Sequence, residues 1–183
     1  MASIIAAGTT SGTAINISGD TSGNLAFTTQ AGTYTQTVPN ATGTVMVSGN
    51  MPAFSAYLIS NQFVTSSTFT KVTFDGEVFD TNNNFASSRF TPTVAGYYQI
   101  NACLSPASST TYTMIRLYKN GSYFYSGGAG NNVSNSPSNV QGLLYMNGTT
   151  DYLEIYTYLI GTTPQIQSGS DTTFFNGVMV RGV

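Results

Sequence analysis

The chain has 183 residues, of which 40% are hydrophobic, so it is long enough to bury the core of one sizeable domain and to carry a small appendage. Only 7% of the residues are charged and the net charge is −2, which excludes the basic surface that nucleic-acid binding requires. Histidine is absent, which excludes a His-based catalytic triad and a Cys/His zinc site.

Targeting and redox signals are sparse. No apolar run reaches the roughly 18 residues that span a bilayer, and residues 1–7 lack the positive charge and apolar length of a secretory signal. We therefore expect neither membrane insertion nor signal-directed secretion. The single cysteine, Cys103, excludes an intrachain disulfide and is expected to be a buried, inert thiol.

Residues 1–50 form a segment rich in Gly, Thr and Ser, in which short strand-like stretches follow Gly-Thr or Gly-Asn pairs. These predicted strands cover residues 14–17, 25–28, 34–38 and 45–47. The segment is either a flexible polar arm or an arm that orders by pairing with other subunits or a partner surface. We favour the second interpretation because apolar residues alternate along the strands. The predicted attachment residues are Ile4, Ile15, Ile17, Leu25, Phe27 and Tyr34.

Residues 51–183 are predicted to be a second domain made of successive strands. The predicted strands are residues 69–79, 96–104, 114–119, 122–125, 140–146, 151–159 and 173–180. Tyr98, Ile100, Ala102 and Leu104 share one face of the second of these. Asn120-Gly121 predicts a hairpin with a type I′ turn. No useful helical periodicity appears, so the pattern predicts an all-β sandwich or jelly roll.

Five motifs in this domain occur in a familiar order. They are Pro-Ala-Phe-Ser-Ala at residues 52–56, Phe-Thr-Pro-Thr-Val-Ala-Gly-Tyr-Tyr at 90–98, Leu-Tyr-Lys-Asn-Gly at 117–121, the segment 141–155, and Phe-Phe-Asn-Gly-Val at 174–178. Together they resemble the C1q/TNF-like jelly roll, although Thr149-Thr150 separate a glycine and an aspartate that are usually adjacent in that family. The resemblance implies a jelly-roll sandwich of about ten strands that forms a homotrimer.

Strand parity in residues 152–159 places three tyrosines away from the core. Leu153, Ile155 and Leu159 share the inward face, and the tyrosines share the other with Glu154. Contacts at the trimer axis are our preferred explanation, and cross-strand packing beside other outer aromatics is the alternative. The predicted interface residues are Phe54, Tyr57, Tyr97, Tyr152, Tyr156 and Tyr158.

The sequence favours a protein without catalytic activity, cofactor or metal. Asp75, Glu77 and Asp80 could form a carboxylate pair or a calcium site, but solvated charges at a strand end are the favoured interpretation. Loops 81–84 and 127–139 could bind a glycan or a protein, although ordinary polar turns would look the same. The candidate ligand residues are Asn82, Asn83, Asn84, Asn131, Asn132 and Asn135.

The N-terminal segment resembles short repeats that precede C1q-like heads in predicted proteins of tailed bacteriophages. This resemblance implies a virion protein, made in the host cytoplasm and located at the virion surface. We expect a homotrimeric capsid decoration (cement) protein or head fibre, whose arm binds the major capsid protein or another virion protein. The alternatives are a tail-fibre adhesin that recognises host surface glycans, a secreted C1q-like module and, as the weakest, a glycan hydrolase.

Overall fold

The computed structural model describes residues 26–28, 35–37, 46, 48–107, 109–131 and 136–183. The chain divides into two units, residues 1–43 and 44–183. In the first unit, strand β1 (Ala26–Thr28) pairs antiparallel with strand β2 (Thr35–Thr37), and Phe27 lies opposite Gln36. These strands fall within two of the four stretches that the sequence predicts. The predicted strand at residues 14–17 lies outside the described residues, and Met46 is not in a strand.

The second unit contains thirteen strands in its described residues, after a short 3-10 turn at Ser48–Asn50. The strands are β3 (Ala53–Tyr57), β4 (Gln62–Phe63), β5 (Phe69–Lys71), β6 (Gly76–Asp80), β7 (Phe85–Ala86), β8 (Arg89–Phe90), β9 (Gly96–Leu104), β10 (Thr110–Lys119), β11 (Ser122–Asn131), β12 (Ser138–Met146), β13 (Leu153–Gly161), β14 (Gln165–Ile166) and β15 (Phe174–Gly182). Within the described residues, no helix is long and apolar enough to cross a membrane.

Two antiparallel sheets make up this unit. The five-stranded sheet has the order β12-β9-β15-β3-β6. The six-stranded sheet has the order β11-β10-β13-β8-β7, and β5 also pairs with β13. A short pair, β4 with β14, stands apart from both sheets. The predicted all-β jelly roll is confirmed by this arrangement and by the structural comparisons given below.

The core lies between the inward faces of the two sheets. Tyr98, Ile100, Ala102 and Leu104 of β9 are buried, as their alternation predicts, and so are Leu153, Ile155 and Leu159 of β13. Met46 also packs against this core, so the second unit includes residues before the Ser48–Asn50 turn. Because each of these strands buries every second side chain, the alternate side chains form two outer faces.

The predicted single strand at residues 69–79 is wrong, because the chain changes sheets within it. Strand β5 belongs to the six-stranded sheet and β6 to the five-stranded sheet. Val72 and Phe74, in the connection, are buried in the core between them. The crossing segment keeps an alternating pattern because it still points apolar side chains inward, so periodicity alone does not reveal the break.

The two Asn-Gly pairs play different parts. Asn120 and Gly121 have φ angles of 53° and 76°, which confirms the predicted type I′ hairpin between β10 and β11. Gly148 also has a positive φ, 70°, but its loop carries the chain from β12 in one sheet to β13 in the other. The side-chain oxygen of Asn147 holds that loop by accepting hydrogen bonds from the N–H groups of Thr149, Thr150 and Asp151.

Candidate interaction surfaces

The outer face of the five-stranded sheet carries exposed apolar side chains. Register places Leu143 of β12 beside Gln99 of β9, and Val178 of β15 lies on the other side of Gln99. Tyr145 lies beside Tyr97, whose ring it meets edge-on at 5.7 Å. We call this surface the apolar face. It is formed by Phe79, Tyr97, Leu143, Tyr145, Val178 and Val180, each 40–52% exposed. Its exposure in a single copy makes it a candidate protein–protein interface.

A polar row crosses the apolar face. Asn101 of β9 donates from Nδ2 to Oδ1 of Asn176 on β15, over 3.3 Å. Ser55 of β3 pairs in register with Asn176, and Phe79 of β6 pairs with Ser55. The two asparagines therefore sit in a depression bordered by Phe79 and Val178. Such amides can fix the alignment of two apolar surfaces, because they must find hydrogen-bond partners when they are covered.

The outer face of the six-stranded sheet is rich in aromatic rings, and we call it the tyrosine face. The rings of Tyr118 and Tyr156 lie 4.2 Å apart, and those of Phe69 and Tyr158 lie 5.2 Å apart. Each pair joins neighbouring strands, since β13 lies between β10 and β5. The aromatic residues of this face are Phe69, Tyr112, Tyr118, Tyr123, Tyr152, Tyr156 and Tyr158.

A buried carboxylate anchors two cations on the tyrosine face. Oε1 of Glu154 lies 2.7 Å from Nζ of Lys71 and 2.9 Å from Nη2 of the Arg89 guanidinium. Burial raises the pKa of the Glu154 carboxyl, but the hydrogen bonds and charges of Lys71 and Arg89 outweigh it and leave the pKa lowered. Burial and the negative charge of Glu154 raise the pKa of the Tyr156 hydroxyl. The carboxylate is therefore ionised at neutral pH and the tyrosine is neutral.

Arg116 of β10 is the third cation of the tyrosine face. Its guanidinium lies 4.2 Å from the ring centre of Phe69 and 4.5 Å from that of Tyr123, so it is held between two aromatic groups. Its Nε is buried and has no hydrogen-bond acceptor among the described residues. Unlike Lys71 and Arg89, Arg116 therefore has aromatic neighbours in place of a carboxylate.

The structure separates the residues that the sequence assigns to one interface. Phe54 is wrong as an interface residue: it is 1% exposed in the core, where its ring stacks 4.2 Å from that of Phe90. Tyr97 lies on the apolar face, whereas Tyr152, Tyr156 and Tyr158 lie on the tyrosine face of the other sheet. The predicted outward direction of these three rings is confirmed, and they pack across strands with neighbours other than Tyr97.

Tyr57, the sixth predicted interface residue, is half-buried on β3 and pairs in register with Phe174. Sequence reasoning missed Leu143, Tyr145, Val178 and Val180. The alternation in β12, where Leu144 and Met146 are buried and Leu143 and Tyr145 are exposed, was the signal that could have found two of them.

The predicted ligand asparagines have different environments. Asn84 is buried, donates to the carbonyl of Asn82 and accepts from the N–H of Thr93, so its assignment as a ligand residue is corrected to a structural one. Asn82 donates to the carbonyl of Gly49. Asn83 and Asn131 are exposed, whereas Asn132 and Asn135 lie outside the described residues.

The acidic residues near β6 hold the backbone. Asp75 accepts from the N–H of Ile59 at 2.7 Å, and Asp80 accepts from the N–H groups of Asn82 and Phe85. Glu77 is exposed. In the described part of the chain, no three Asp, Glu or Cys side chains come together as a group that could hold a metal ion. Cys103 is buried, as expected, and burial raises the pKa of its thiol.

Most of the predicted attachment residues, Ile4, Ile15, Ile17, Leu25 and Tyr34, lie outside the described residues. Phe27 lies in β1. Their assignment to attachment stays a prediction.

The geometry defines a C1q/TNF-like jelly-roll domain with two different outer faces. The globular domain of zebrafish complement 1qA is similar, with a TM-score of 0.56 and 19% identity over 72% of this chain and 99% of that one. Murine APRIL gives a TM-score of 0.57 at 10% identity, covering 71% and 99%. The TNF protein Eiger from S. frugiperda gives 0.50 at 11%, covering 72% and 95%. No family model and no curated protein matches the sequence.

Proposed function

We propose that this chain is a non-enzymatic, homotrimeric structural protein of a bacteriophage particle, a capsid decoration protein or head fibre located at the virion surface. The observation that carries the proposal is the apolar face, which a single copy of the head leaves in contact with solvent. Large exposed apolar patches on a folded domain are typical of interaction sites. A partner that covers this face would remove six large apolar side chains from water.

Self-association suits the apolar face better than binding to a charged partner. The face is made of aliphatic and aromatic side chains and of the amide pair Asn101–Asn176, and Arg181 beside Tyr97 is the one charged side chain that borders it among the residues lining the depression at Leu143. Apolar contact therefore dominates there over complementary charge. The net charge of −2 makes repulsion between copies small. A stable interface needs about 800 Å² from each partner, which is the scale of one face of a five-stranded sheet.

The ion pairs that two carboxylates form within the chain support a structural role. Glu154 is bonded to Lys71 and Arg89, and Asp151 lies 2.9 Å from Nζ of Lys119. Both carboxyl pKa values are lowered, although burial opposes the hydrogen bonds and cations that lower them. A general acid needs a pKa near the working pH, so these two groups are suited to holding strands together.

The attachment role is assigned to the first unit, residues 1–43. The β1–β2 pair supports the idea that this segment can form strands, which could then pair with the major capsid protein or another virion protein. The chain would be made in the host cytoplasm and added to the particle there. A tail-fibre adhesin is the second candidate, and the partly exposed rings and cations of the tyrosine face favour it.

Two measurements test the proposal. Sedimentation of the full chain at micromolar concentration should give three times its 19.3 kDa mass. A stable monomer would overturn the trimer. Purified chain added to capsids that lack it should bind in hundreds of copies per particle. A few copies, located at the tail, would support the adhesin instead, and no binding to either structure would overturn the virion role.

A further inference from the structure

We propose that the tyrosine face binds an acidic glycan, a chain of sugar rings that carries carboxylates, with Arg116 as the group that recognises a carboxylate. This assignment deepens the adhesin candidate and requires neither the trimer nor the particle. It is drawn from three features of the face: an arginine without an acidic partner, an excess of positive charge, and aromatic rings of which Tyr123 is exposed and the others are half-buried.

Arg116 is arranged as an anion-binding group. An arginine on a protein surface usually gains by bonding a carboxylate, and a guanidinium can bond one through two parallel N–H groups. Here the side chain is fixed between Phe69 and Tyr123, and its buried Nε has no acceptor among the described residues. Because the rings already restrict the guanidinium, an incoming carboxylate would pay little of the entropy of ordering it.

The charge on the tyrosine face is opposite in sign to that of the whole chain. Three of the five cationic residues, Lys71, Arg89 and Arg116, lie here, and Glu154 is the carboxylate that meets two of them. Three cations and one carboxylate leave a local net charge of +2, whereas the chain carries −2. The buried carboxylate also keeps Lys71 and Arg89 in place. An anionic ligand is therefore attracted to this face.

The other described acidic residues do not cancel this charge. Asp75, Glu77 and Asp80 belong to β6 or the residue before it, in the five-stranded sheet. Asp151 is engaged by Lys119. Asp171 lies in the turn before β15, where it is exposed. The positive charge of the tyrosine face is thus a feature of that one surface.

The aromatic rings favour an anionic ligand that contains sugar rings over anions that lack them. Tyrosine offers a flat apolar surface and a hydroxyl that hydrogen-bonds, which matches the apolar faces and hydroxyl rims of sugar rings. Tyr123 is 52% exposed beside Arg116, so a ring stacked on it would bring its carboxylate within reach of the guanidinium. A net charge of +2 is small for nucleic acid, whose binding relies on neutralising many phosphates.

The test uses the full chain and an octamer of galacturonate, compared with the same octamer methyl-esterified so that the sugar rings remain and the charges are removed. Calorimetry should show binding of the acid form, and at least about tenfold weaker binding of the ester. Arg116→Gln and Tyr123→Ala should each weaken binding of the acid form about tenfold or more. Arg181→Gln, which removes the same charge from the five-stranded sheet, should change it less than about twofold.

Several results would overturn the assignment. The first is equal affinity for the ester and the acid form, and the second is an equal loss of affinity in Arg116→Gln and Arg181→Gln. The third is equally tight binding of a ten-nucleotide poly-dT, which would indicate unspecific attraction of polyanions. Binding of a host surface protein at this face, with no glycan bound, would also overturn it. Arg116→Lys separates folding from recognition: it keeps the charge and should still lose affinity, because lysine lacks the two-pronged geometry. A failure of all glycan binding in a protein that still forms trimers leaves the structural role intact.

Discussion

Nζ of Lys71 lies 2.7 Å from Oε1 of Glu154, whose side chain is only 4% exposed to solvent. The pair joins β5 to the strand beside it, β13, and Arg89 of β8 bonds the same oxygen. Glu154 therefore ties three strands of the six-stranded sheet together through one atom. Because both cations are partly exposed, water screens part of the attraction between the opposite charges.

Glu154→Gln should destabilise the head by about 1–3 kcal/mol at pH 7, because the amide cannot accept from both cations as an ionised carboxylate does. The folded-state pKa of Glu154 is lowered, so its contribution is present above the unfolded value of 4.5 and is lost as the pH falls through the folded value. The stability difference between wild type and variant should therefore shrink below pH 4.5. Urea unfolding at pH 7 and pH 3 measures it.

The matched control is Glu77→Gln, which removes an exposed carboxylate and should change stability by less than about 0.5 kcal/mol at either pH. If Glu77→Gln and Glu154→Gln lost the same stability, the ion pairs of the tyrosine face would have no special role.

Tyr98→Phe tests a buried hydroxyl in the core. The Tyr98 hydroxyl donates to the carbonyl of Val94 at 2.7 Å, and burial raises its pKa to about 12. Its neutral form is thus favoured in the folded state, so this stabilisation is complete below the unfolded value of 10 and is lost as the pH rises toward 12. Wild type should lose on the order of 2 kcal/mol more stability than Tyr98→Phe over that range.

Urea unfolding followed by circular dichroism at pH 9 and pH 11.5 measures the loss of stability in wild type and in Tyr98→Phe. Tyr123→Phe is the control, because Tyr123 is exposed and its replacement should leave the alkaline loss unchanged. Identical pH profiles for wild type and Tyr98→Phe would show that Tyr98 ionises as freely as an exposed tyrosine.

The sequence predicted the elements whose signals are local. Alternation identified β9 with its bounds, Asn120-Gly121 identified the hairpin turn, and the outward direction of Tyr152, Tyr156 and Tyr158 followed from parity. In contrast, alternation gives a face of a strand but not the sheet to which the strand belongs. The alternation of residues 69–79 therefore predicts one strand where the structure has two, and it does not separate Tyr97 from the tyrosines of the other sheet.

The candidate sites depended on contacts that are distant in sequence. Phe54 is in the core because β3 has Phe85, Phe90 and Phe175 around its inward face, and no local pattern brings these rings together. Arg116 meets Phe69 across 47 positions, and Glu154 meets Lys71 across 83. The sheet order that creates these contacts is set by the whole chain, which is why both were missed.

Gly148→Ala should destabilise the loop between β12 and β13 by about 1–3 kcal/mol. Its φ of 70° is costly for a residue with a Cβ, and an added Cβ would overlap the backbone of Val94 and Ala95. Gly130→Ala is the control, because Gly130 has no atom within 4 Å of the added Cβ and should change stability by less than about 0.5 kcal/mol. Thermal unfolding of both variants checks this, and equal melting temperatures would contradict the strained loop.

Leu143→Glu tests whether the apolar face is the surface that joins copies of the chain. Leu143 is 52% exposed and stands beside Tyr145 on β12, so a glutamate there is solvated in a single copy and costs little. In a trimer that covers this face, three carboxylates would be taken out of water into an apolar contact, which is strongly unfavourable. Sedimentation equilibrium should show that the trimer dissociates at least about a hundredfold more readily, and circular dichroism should show an unchanged β-sheet signal.

Phe63→Glu is the matched control, since Phe63 is 69% exposed but lies on β4, outside the five-stranded sheet. The same change of an exposed apolar residue to an acid should leave the mass of the assembly unaltered there. A Leu143→Glu protein that keeps the mass of three chains would assign trimer formation to another surface. Loss of the trimer in both variants would point to the added charge alone. Loss in Leu143→Glu only would show that Leu143 and the outer face of the five-stranded sheet take part in trimer formation.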